Sequence, residues 1–202
     1  PREENMFLTL FRPVLDIVYE DENLMLLNKR PGLVVHADET EKVNTLINHI
    51  QAYLYQKREW NPRWENAFTP ALCNRIDRNT GGIVIAAKNA AALRELNALI
   101  KERKLTTKYL CAVHGKMEKR ADTLRGYLTK NPKTNTVSVT DRKFRDSKEI
   151  LTRYRVLAEK DGLSLLDIDL LTGRTHQIRA QLGSIGHPLL GDGKYGINRE
   201  DN

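Results

Sequence analysis

Along this 202-residue chain, segments with strand-like spacing of apolar residues and segments with helical spacing follow one another in an irregular order. This order of predicted elements limits the fold more than any other feature of the sequence. Residues 150–159, ILTRYRVLAE, and 163–172, LSLLDIDLLT, have strand-like patterns on either side of the turn KDG. Such a pair predicts an antiparallel hairpin. Residues 89–104, NAAALRELNALIKERK, have helical spacing instead. Because strands and helices are mixed without a strict β-α-β repeat, we predict an α+β fold around a largely antiparallel sheet, with helices on its faces.

Further segments add elements of both kinds. Residues 43–56, VNTLINHIQAYLYQ, predict a helix, and Asn89 is the predicted N-cap of the helix at 89–104. Residues 174–186, RTHQIRAQLGSIG, predict a third helix, with Thr172 and Thr175 as candidate caps. The remaining predictions are two strands within 14–36, a loop at 57–71, strands at 72–76, 82–88 and 106–115, and an exposed hairpin at 130–141.

The charge distribution favours a polyanionic partner. The formal net charge is +7, yet residues 1–50 contain nine Asp/Glu against five Lys/Arg, so the rest of the chain is strongly basic. Such a surplus is typical of proteins that bind polyanions, although many basic proteins bind no nucleic acid. No apolar run approaches the roughly 18 residues of a membrane span, so no membrane partner is expected. The two cysteines lack CxxC spacing and predict reduced thiols in the cytoplasm, with a disulfide left open.

Two features of the sequence could indicate a cofactor or a metal site, but neither has the context that such a site needs. Residues 191–196, GDGKYG, fit G-x-G-x-x-G, but dinucleotide binding also needs a preceding strand, a following helix and an acidic residue about 20 positions later. A glycine-rich turn explains this segment better. The five histidines lack metal-ligand spacing such as H-E-x-x-H, so no metal site is expected. The sequence also lacks the nucleophile elbow of hydrolases and the P-loop of NTPases.

A carboxylate between two guanidiniums precedes the strand at 82–88. In NRIDRNTGG, residues 74–82, Asp77 lies between Arg75 and Arg78. This arrangement is typical of a surface ion pair. It is also typical of a reactive carboxylate on a loop that a rigid sheet carries.

Two further basic segments lie in the second half of the chain. In LLTGRTHQIRAQL, residues 170–182, Arg174 and Arg179 predict an anion site at a helix start or, equally, a capped helix on a solvated face. Residues 142–155, RKFRDSKEILTRYR, predict a phosphate-binding surface or a solvated charged hairpin.

Four segments in a fixed order resemble the RluA-type pseudouridine synthases. Residues 74–88, NRIDRNTGGIVIAAK, are similar to that family's HRLDxxTSG pattern and the apolar strand after it. The other three are YEDENLMLLNKRPGLVVH, KYLCAVHG and LLTGRTHQIRAQLGSIGHPLLGDGKYG, and together the four span about residues 14–196. Asn74 and Gly82 depart from the usual His and Ser, which puts specificity or packing in doubt rather than the chemistry.

The resemblance implies a fold and an activity. The fold is the pseudouridine synthase fold, a bent and mostly antiparallel mixed sheet with flanking helices and a central active-site cleft. Residues 1–202 are expected to be a single catalytic domain without the N-terminal RNA-binding domain and C-terminal strand that members often carry. The activity is isomerisation of uridine to pseudouridine in structured RNA, without a cofactor. Large-subunit ribosomal RNA is the expected substrate, with transfer RNA as the alternative, and a monomer is expected.

The resemblance also implies roles for individual residues. Asp77 corresponds to the catalytic aspartate, Tyr109 to the tyrosine that packs on the target base, and Arg179 to the basic residue that pairs with the aspartate. Without the resemblance, Tyr109 would be predicted to be an ordinary core aromatic of its strand. The candidates for substrate contact are Arg75, Arg78, Arg174 and His176.

The reaction explains why a lone carboxylate is sufficient. It breaks the bond between ribose C1′ and uracil N1 and joins C1′ to C5, so no net oxidation or group transfer calls for a metal, ATP or a redox cofactor. A carboxylate can stabilise or capture the charge at C1′, remove the 2′ proton or add to the uracil ring, and the sequence does not choose among these. Because burial disfavours the ionised form, a nearby guanidinium is expected to keep Asp77 charged.

Two hypotheses from other classes remain. A non-catalytic RNA-binding or assembly factor of the same fold would have the same charge but would not need an aspartate at position 77. A hydrolase or glycosidase that acts on RNA usually needs two carboxylates on either side of the bond. The motifs here supply one.

Overall fold

The computed structural model describes residues 3–10 and 12–196, and the chain divides into two compact units, residues 1–105 and 106–202. The first unit opens with a short 3-10 helix at Glu3–Thr9. Its other elements are β1 (Ile17–Glu20), β2 (Leu24–Lys29), α1 (Leu46–Gln56), β3 (Ala71–Leu72), β4 (Gly82–Ala87) and α2 (Ala90–Lys101). Those of the second unit are β5 (Lys108–His114), β6 (Ala121–Asn131), β7 (Thr136–Thr140), β8 (Lys148–Lys160), β9 (Leu163–Leu170) and α3 (Gln177–Ser184).

The strands of the first unit form an antiparallel sheet in the order β1-β2-β4-β3. Side chains alternate between the two faces of a strand, and on β2 the inward positions carry Met25 and Leu27, both fully buried. They pack with Val84 of β4 and with Leu46 and Ile50 of α1. Each such buried aliphatic side chain contributes about 1.5–3 kcal/mol, so this layer fixes β2 and β4 as the rigid part of the unit.

Both α-helices of the first unit begin at a polar N-cap residue, and the N-cap of α2 is the one that the sequence predicts. Asn89 is the N-cap of α2, and its side-chain oxygen accepts a hydrogen bond from the backbone N–H of Ala92 at 2.8 Å. Helix α1 has Thr45 as its N-cap, so it begins three residues later than the start of the apolar spacing at Val43. Serine, threonine and asparagine at this position satisfy backbone donors that a helix leaves unpaired.

The second unit is an antiparallel sheet in the order β5-β9-β8-β6-β7. Its inner face contributes Leu166 and Ile168 of β9 and Val156 of β8, which pack against Leu182 of α3. Strands β8 and β9 form the hairpin that the two alternating runs predict. The segment after α3 also meets the sheet, because Val113 of β5 forms an isolated bridge with the residue at 189.

Three features differ from the sequence-based expectations, within an α+β class that is confirmed. The described strands form two antiparallel sheets rather than one. The strand expected at 72–76 is only two residues long, Ala71–Leu72. Helix α3 begins at Gln177 rather than at residue 174, so Arg174 precedes it.

The two cysteines are free thiols, as the sequence predicts, and both are half-buried. Burial raises the pKa of Cys111 to about 12. Among the residues described, no helix combines the length and apolar character needed to cross a bilayer.

Candidate active site

Asp77 lies on the connection between β3 and β4, where it is half-buried. Its carbonyl oxygen accepts a hydrogen bond from Thr80 N–H at 3.0 Å, which closes a tight turn just before β4. Asn74 ties the start of this connection to β4. Its side chain donates to Ile83 O at 3.2 Å and accepts from Ile85 N–H at 2.8 Å. These bonds replace strand pairing and explain why β3 is short.

A buried lysine supports the Asp77 turn from inside the unit. The side chain of Lys29, which ends β2, is among the most deeply buried of the chain, at 1% residue exposure. Its ammonium group donates to Leu33 O at 2.7 Å, to Arg30 O at 2.9 Å and to Arg78 O at 2.9 Å. Because three carbonyl oxygens receive its three protons, the ammonium links the loop after β2 to the residue next to Asp77.

The charge of Asp77 acts on this lysine. Burial lowers the pKa of Lys29, the Asp77 carboxylate raises it and the Arg78 guanidinium lowers it, and the three effects together place it at about 8. Asp77 and Lys29 therefore form an electrostatically coupled pair within the first unit. The sequence analysis missed Lys29. The signal was its place at the third inward position of β2, after Met25 and Leu27.

Arg78 binds an acidic loop of its own unit. Its guanidinium donates to Asp38 Oδ2 at 2.7 Å and to Thr40 Oγ1 at 2.6 Å. Hydrogen bonds from the Thr40 hydroxyl, from the backbone N–H of Glu41 and Thr40 and from Arg78 hold the pKa of Asp38 below its usual value against a small effect of burial. Through this contact Arg78 ties the Asp77 turn to the loop that carries Asp38 and Thr40. Its role in substrate contact remains a prediction.

Arg75 is exposed, and a histidine lies near it. Burial and the positive charge of Arg75 both lower the pKa of His36, which comes from the loop after β2. The sequence analysis gave His36 no role. The loops around Asp77 thus carry His36, Arg75 and Arg78, with Lys29 beneath them.

A hollow of about 500 Å³ lies in the same unit and is lined by parts of β2 and the start of β4. Lys29, Pro31 and Gly81 are among its lining residues, but Asp77 is not. The hollow therefore borders the support of the Asp77 turn rather than the carboxylate itself.

In the second unit, Tyr109 lies on β5 opposite Ile168 of β9. It is half-buried and packs against the hydrophobic core of this unit. Such a position suits an ordinary strand aromatic and also a tyrosine that leaves part of its ring for a ligand. Its contact with a base remains a prediction.

Helix α3 is fixed to the sheet by a buried polar network. Thr152 of β8 donates to Gln181 Oε1 at 2.5 Å and accepts from Gln177 Nε2 at 2.9 Å. The Gln177 amide also donates to Leu151 O at 3.0 Å, so its orientation is determined. Satisfied buried polar groups of this kind make an interface specific and rigid.

The residues around the start of α3 differ from their predicted arrangement. The N-cap is His176, in the left-handed region with φ 52°, and it makes no side-chain cap. Thr172 and Thr175 therefore do not cap the helix as predicted. The Gln177 oxygen instead accepts from Thr172 Oγ1 at 2.9 Å and from Arg174 N–H at 3.0 Å. Arg174 itself is exposed.

Arg179 on α3 forms a two-pronged ion pair with Asp192. Its Nε lies 2.9 Å from Asp192 Oδ2, and its second terminal nitrogen lies 3.0 Å from Oδ1. The guanidinium also lies over the ring of Tyr195, 5.0 Å from the centroid. The sequence analysis missed both residues of this turn. Pairing of Arg179 with Asp77 remains a prediction.

The part of the basic segment 142–155 that precedes β8 is solvent-exposed. Arg142, Lys143 and Arg145 are all exposed, and Phe144 between them is 48% exposed. Three exposed cations next to an exposed aromatic residue suit phosphate and base contacts, and they also suit a solvated charged loop.

Comparison with known proteins identifies the family to which this chain belongs. A family model described as RNA pseudouridylate synthase matches residues 23–184, which include Asp77, Tyr109 and Arg179. The chain belongs to the RNA pseudouridylate synthase family. The resemblance to the RluA-type synthases is thereby confirmed.

Curated members of the family match nearly the whole chain. An uncharacterised RNA pseudouridine synthase of Aquifex aeolicus is 36% identical over 188 residues, which are 91% of this chain and 56% of the relative. The ribosomal large subunit pseudouridine synthase D of Buchnera aphidicola is 34% identical over 192 residues, which are 95% of this chain and 56% of the relative. The chain thus spans little more than half the length of these relatives.

Solved structures of two proteins named for an RNA pseudouridylate synthase domain share the fold. The human RNA pseudouridylate synthase domain containing 1 matches with a TM-score of 0.75 and 26% identity, covering 94% of this chain and 74% of that one. The human RNA pseudouridylate synthase domain containing 4 matches with a TM-score of 0.73, covering 97% of this chain and 73% of that one. At 21% identity, the second match supports the fold alone. The pseudouridine synthase fold expected from the sequence is confirmed.

Proposed function

We propose that this chain isomerises uridine to pseudouridine in RNA, with Asp77 as the catalytic carboxylate and no cofactor. The observation that carries the proposal is the family match over residues 23–184, which includes the Asp77 turn. The turn itself suits the role, because it is half-buried, lies on a rigid sheet and is fixed by Lys29. A reactive group held in this way loses little entropy when it meets its substrate.

The reaction proposed for Asp77 is an isomerisation, so the nucleoside has the same atoms before and after it. The bond from C1′ to N1 breaks, the uracil is reoriented, and C1′ joins C5. The C5 hydrogen leaves as a proton, and N1 ends with a proton. An ionised carboxylate assists by stabilising or capturing C1′, by removing the 2′ proton or by adding to the ring, and all three routes remain open. Arg179 is proposed to keep Asp77 ionised, on the basis of the family resemblance.

The target uridine has to leave its helix before it can react. A stacked base does not offer C1′ and both faces of its ring, so extrusion is required at a cost of a few kcal/mol. Tyr109 is proposed to pack on the extruded uracil. Arg75, Arg78, Arg174 and His176 are proposed to contact the RNA.

The basic segment 142–155 is proposed to bind backbone phosphates. The exposed cations Arg142, Lys143 and Arg145 support this assignment. Phosphate contacts make binding strongly dependent on salt, because each neutralised phosphate releases counterions.

Large-subunit ribosomal RNA is the proposed substrate, and transfer RNA is the alternative. Several similar proteins, including that of Buchnera aphidicola, are named ribosomal large subunit pseudouridine synthase D. We further propose that residues 1–202 act as one catalytic domain, as a monomer in the cytoplasm.

Pseudouridine mapping tests the substrate directly. Total RNA from cells with and without the gene is compared at nucleotide resolution, and the strain without it is then given back either the gene or its Asp77→Asn variant. Loss of defined sites in ribosomal RNA, restored by the gene and not by the variant, is the expected result. Lost sites confined to transfer RNA would select the alternative substrate, and restoration by both forms would favour a non-catalytic assembly factor.

A further inference from the structure

The turn at Gly191–Gly196 holds the side chain of Arg179 from two sides. Two hydrogen bonds of 2.9 and 3.0 Å join the guanidinium to the Asp192 carboxylate, and the ring of Tyr195 lies against its face. The side chain of Asp192 is only 5% exposed and that of Arg179 is 28% exposed. A planar fork bound to a carboxylate at two points has little freedom left to rotate.

Asp192 is itself fixed by the turn. Its Oδ1 accepts hydrogen bonds from the backbone N–H of Lys194 at 3.0 Å and of Tyr195 at 3.2 Å. Burial alone would raise the pKa of Asp192, but the bonds from Arg179 and from these two N–H groups hold that pKa below its usual value. The carboxylate therefore stays ionised and keeps one orientation.

Tyr195 connects the same turn to the predicted substrate ligand His176. Its hydroxyl lies 2.7 Å from His176 Nδ1 and accepts a hydrogen bond from Val137 N–H at 3.1 Å. His176 has a positive φ of 52°, which is uncommon for a residue other than glycine. The hydroxyl thus fixes a histidine whose backbone is held in a strained conformation.

Two glycines allow close packing at this turn, one against α3 and the other against the segment that follows α3. A Cβ built on Gly183 of α3 would lie 2.7 Å from Tyr195 O, and one on Gly196 would lie 2.6 Å from Pro188 Cβ. Neither contact is possible for a real Cβ, so both positions require glycine. Part of the glycine pattern that imitates a dinucleotide motif is therefore explained by packing of the turn.

Stability alone is a poor explanation for this ion pair. Helix α3 is already held to β8 by the network of Gln177, Gln181 and Thr152 and by the buried Leu182. Buried ion pairs lose much of their attraction to desolvation and often add no stability over apolar residues. Orientation is the property that they do provide, and small displacements of a functional group reduce rates severely.

We propose that the turn 191–196 is a positioning clamp, in which Asp192 orients Arg179 and Tyr195 orients both Arg179 and His176. This inference rests on the proposed function, which gives Arg179 and His176 their part in the reaction. Asp192 and Tyr195 are positioning residues and act through the two side chains they hold.

The test measures tritium release from RNA transcripts of the large-subunit ribosomal RNA labelled at uridine C5. The Asp192→Asn variant should lose at least about tenfold in kcat, with KM changed by less than about twofold, because it loosens the guanidinium without removing it. Glu159→Gln is the control. It breaks a carboxylate–guanidinium pair with Arg120 at 3.5 Å in the same unit, outside the proposed RNA-binding segment, and its kcat should be unchanged.

A double variant separates positioning from simple loss of structure. If Asp192 acts through Arg179, Asp192→Asn should cost little further kcat in an Arg179→Lys background. Additive losses, or an unchanged kcat in Asp192→Asn, would overturn the clamp while leaving the proposed function in place. Absence of activity in the unaltered chain would overturn the proposed function and this inference with it.

A measurement on the unaltered chain covers the case in which Asp192→Asn does not fold. The Arg179 Nε–H should give a 15N NMR signal with slow hydrogen exchange at pH 7, since that proton is bound to Asp192. Tyr195→Phe, which keeps the ring and removes only the hydroxyl, should leave this signal intact and lower kcat through His176. Fast exchange at Arg179, or full kcat in Tyr195→Phe, would contradict the clamp.

Discussion

The ammonium group of Lys29 lies 2.9 Å from the carbonyl oxygen of Arg78, the residue that follows Asp77. The same ammonium binds two carbonyl oxygens of the loop after β2, so a buried cation fixes the position of the Asp77 turn. The Asp77 carboxylate acts on that cation through space. The first unit thus contains a charge pair that can be observed without any assay of activity.

Lys29 should titrate about two pH units below ordinary lysines. Burial lowers its pKa to about 8, while exposed lysines titrate near 10.4. Lysine 13Cε NMR should therefore show one signal with a midpoint near pH 8, and this signal should disappear in Lys29→Arg. A uniform set of midpoints above pH 10 would contradict the buried charge.

The midpoint of Lys29 should report the charge of Asp77. Asp77→Asn removes a group that raises the pKa of Lys29, so the midpoint should fall below that of the unaltered chain. Arg78→Gln removes a charge that lowers this pKa, so the midpoint should rise. An Asp77→Asn chain with an unmoved midpoint would show that Asp77 carries no charge near Lys29.

Replacing Lys29 by methionine should lower the free energy of unfolding by about 2–4 kcal/mol at pH 7, since three buried carbonyl oxygens lose their donor. The difference should grow from pH 8 to pH 10. In that range the unfolded chain keeps the lysine proton that the folded chain has released, so the stability of the unaltered chain rises with pH relative to the variant. Urea denaturation at several pH values measures both effects, and a constant difference would refute the pKa assignment.

Arg78 and Asp38 offer a matched pair of variants for RNA contact. Their ion pair is about two-fifths exposed on each side, so breaking it should leave the stability of the fold almost unchanged. If Arg78 contacts a phosphate, Arg78→Gln should weaken RNA binding and reduce the salt slope by about one. Asp38→Asn, which leaves the guanidinium in place, should not weaken it. Equal effects of the two variants would limit Arg78 to support of the turn.

Removal of metal ions should leave the rate unchanged. The isomerisation involves no net oxidation and no transferred group, so the carboxylate suffices in the proposed mechanism. The assay is run with EDTA, with cobalt(III) hexammine added to keep the RNA folded without direct metal coordination. A rate lost under these conditions and restored by one divalent ion would require a metal site.

The sequence predicted the elements whose signals are local. Helix α2 has its N-cap at Asn89, and the β8–β9 hairpin is where alternation places it. The spacing of apolar residues misplaced two element boundaries, one where a side chain takes over the hydrogen bonds of the backbone and one where a residue has a positive φ. Strand β3 stops early because Asn74 binds β4 with its amide, and α3 starts late because His176 has a positive φ.

The candidate site was predictable as a set of chemical groups and not as a set of contacts. Asp77 and Arg179 follow from the family motifs, but their neighbours depend on the tertiary structure. Lys29 is significant because carbonyl oxygens from two loops converge on it, and Asp192 because its turn packs against α3. No spacing along the chain encodes either convergence.

The proposed activity depends most on Asp77, and tritium release from C5-labelled uridine in ribosomal RNA tests this role most directly. The unaltered chain should release tritium, and Asp77→Asn should lose at least about a thousandfold in rate, because it removes the reacting carboxylate. RNA binding by the variant should stay within about threefold, since no phosphate contact is lost. A folded Asp77→Asn chain that turns over at a rate near that of the unaltered chain would contradict the account.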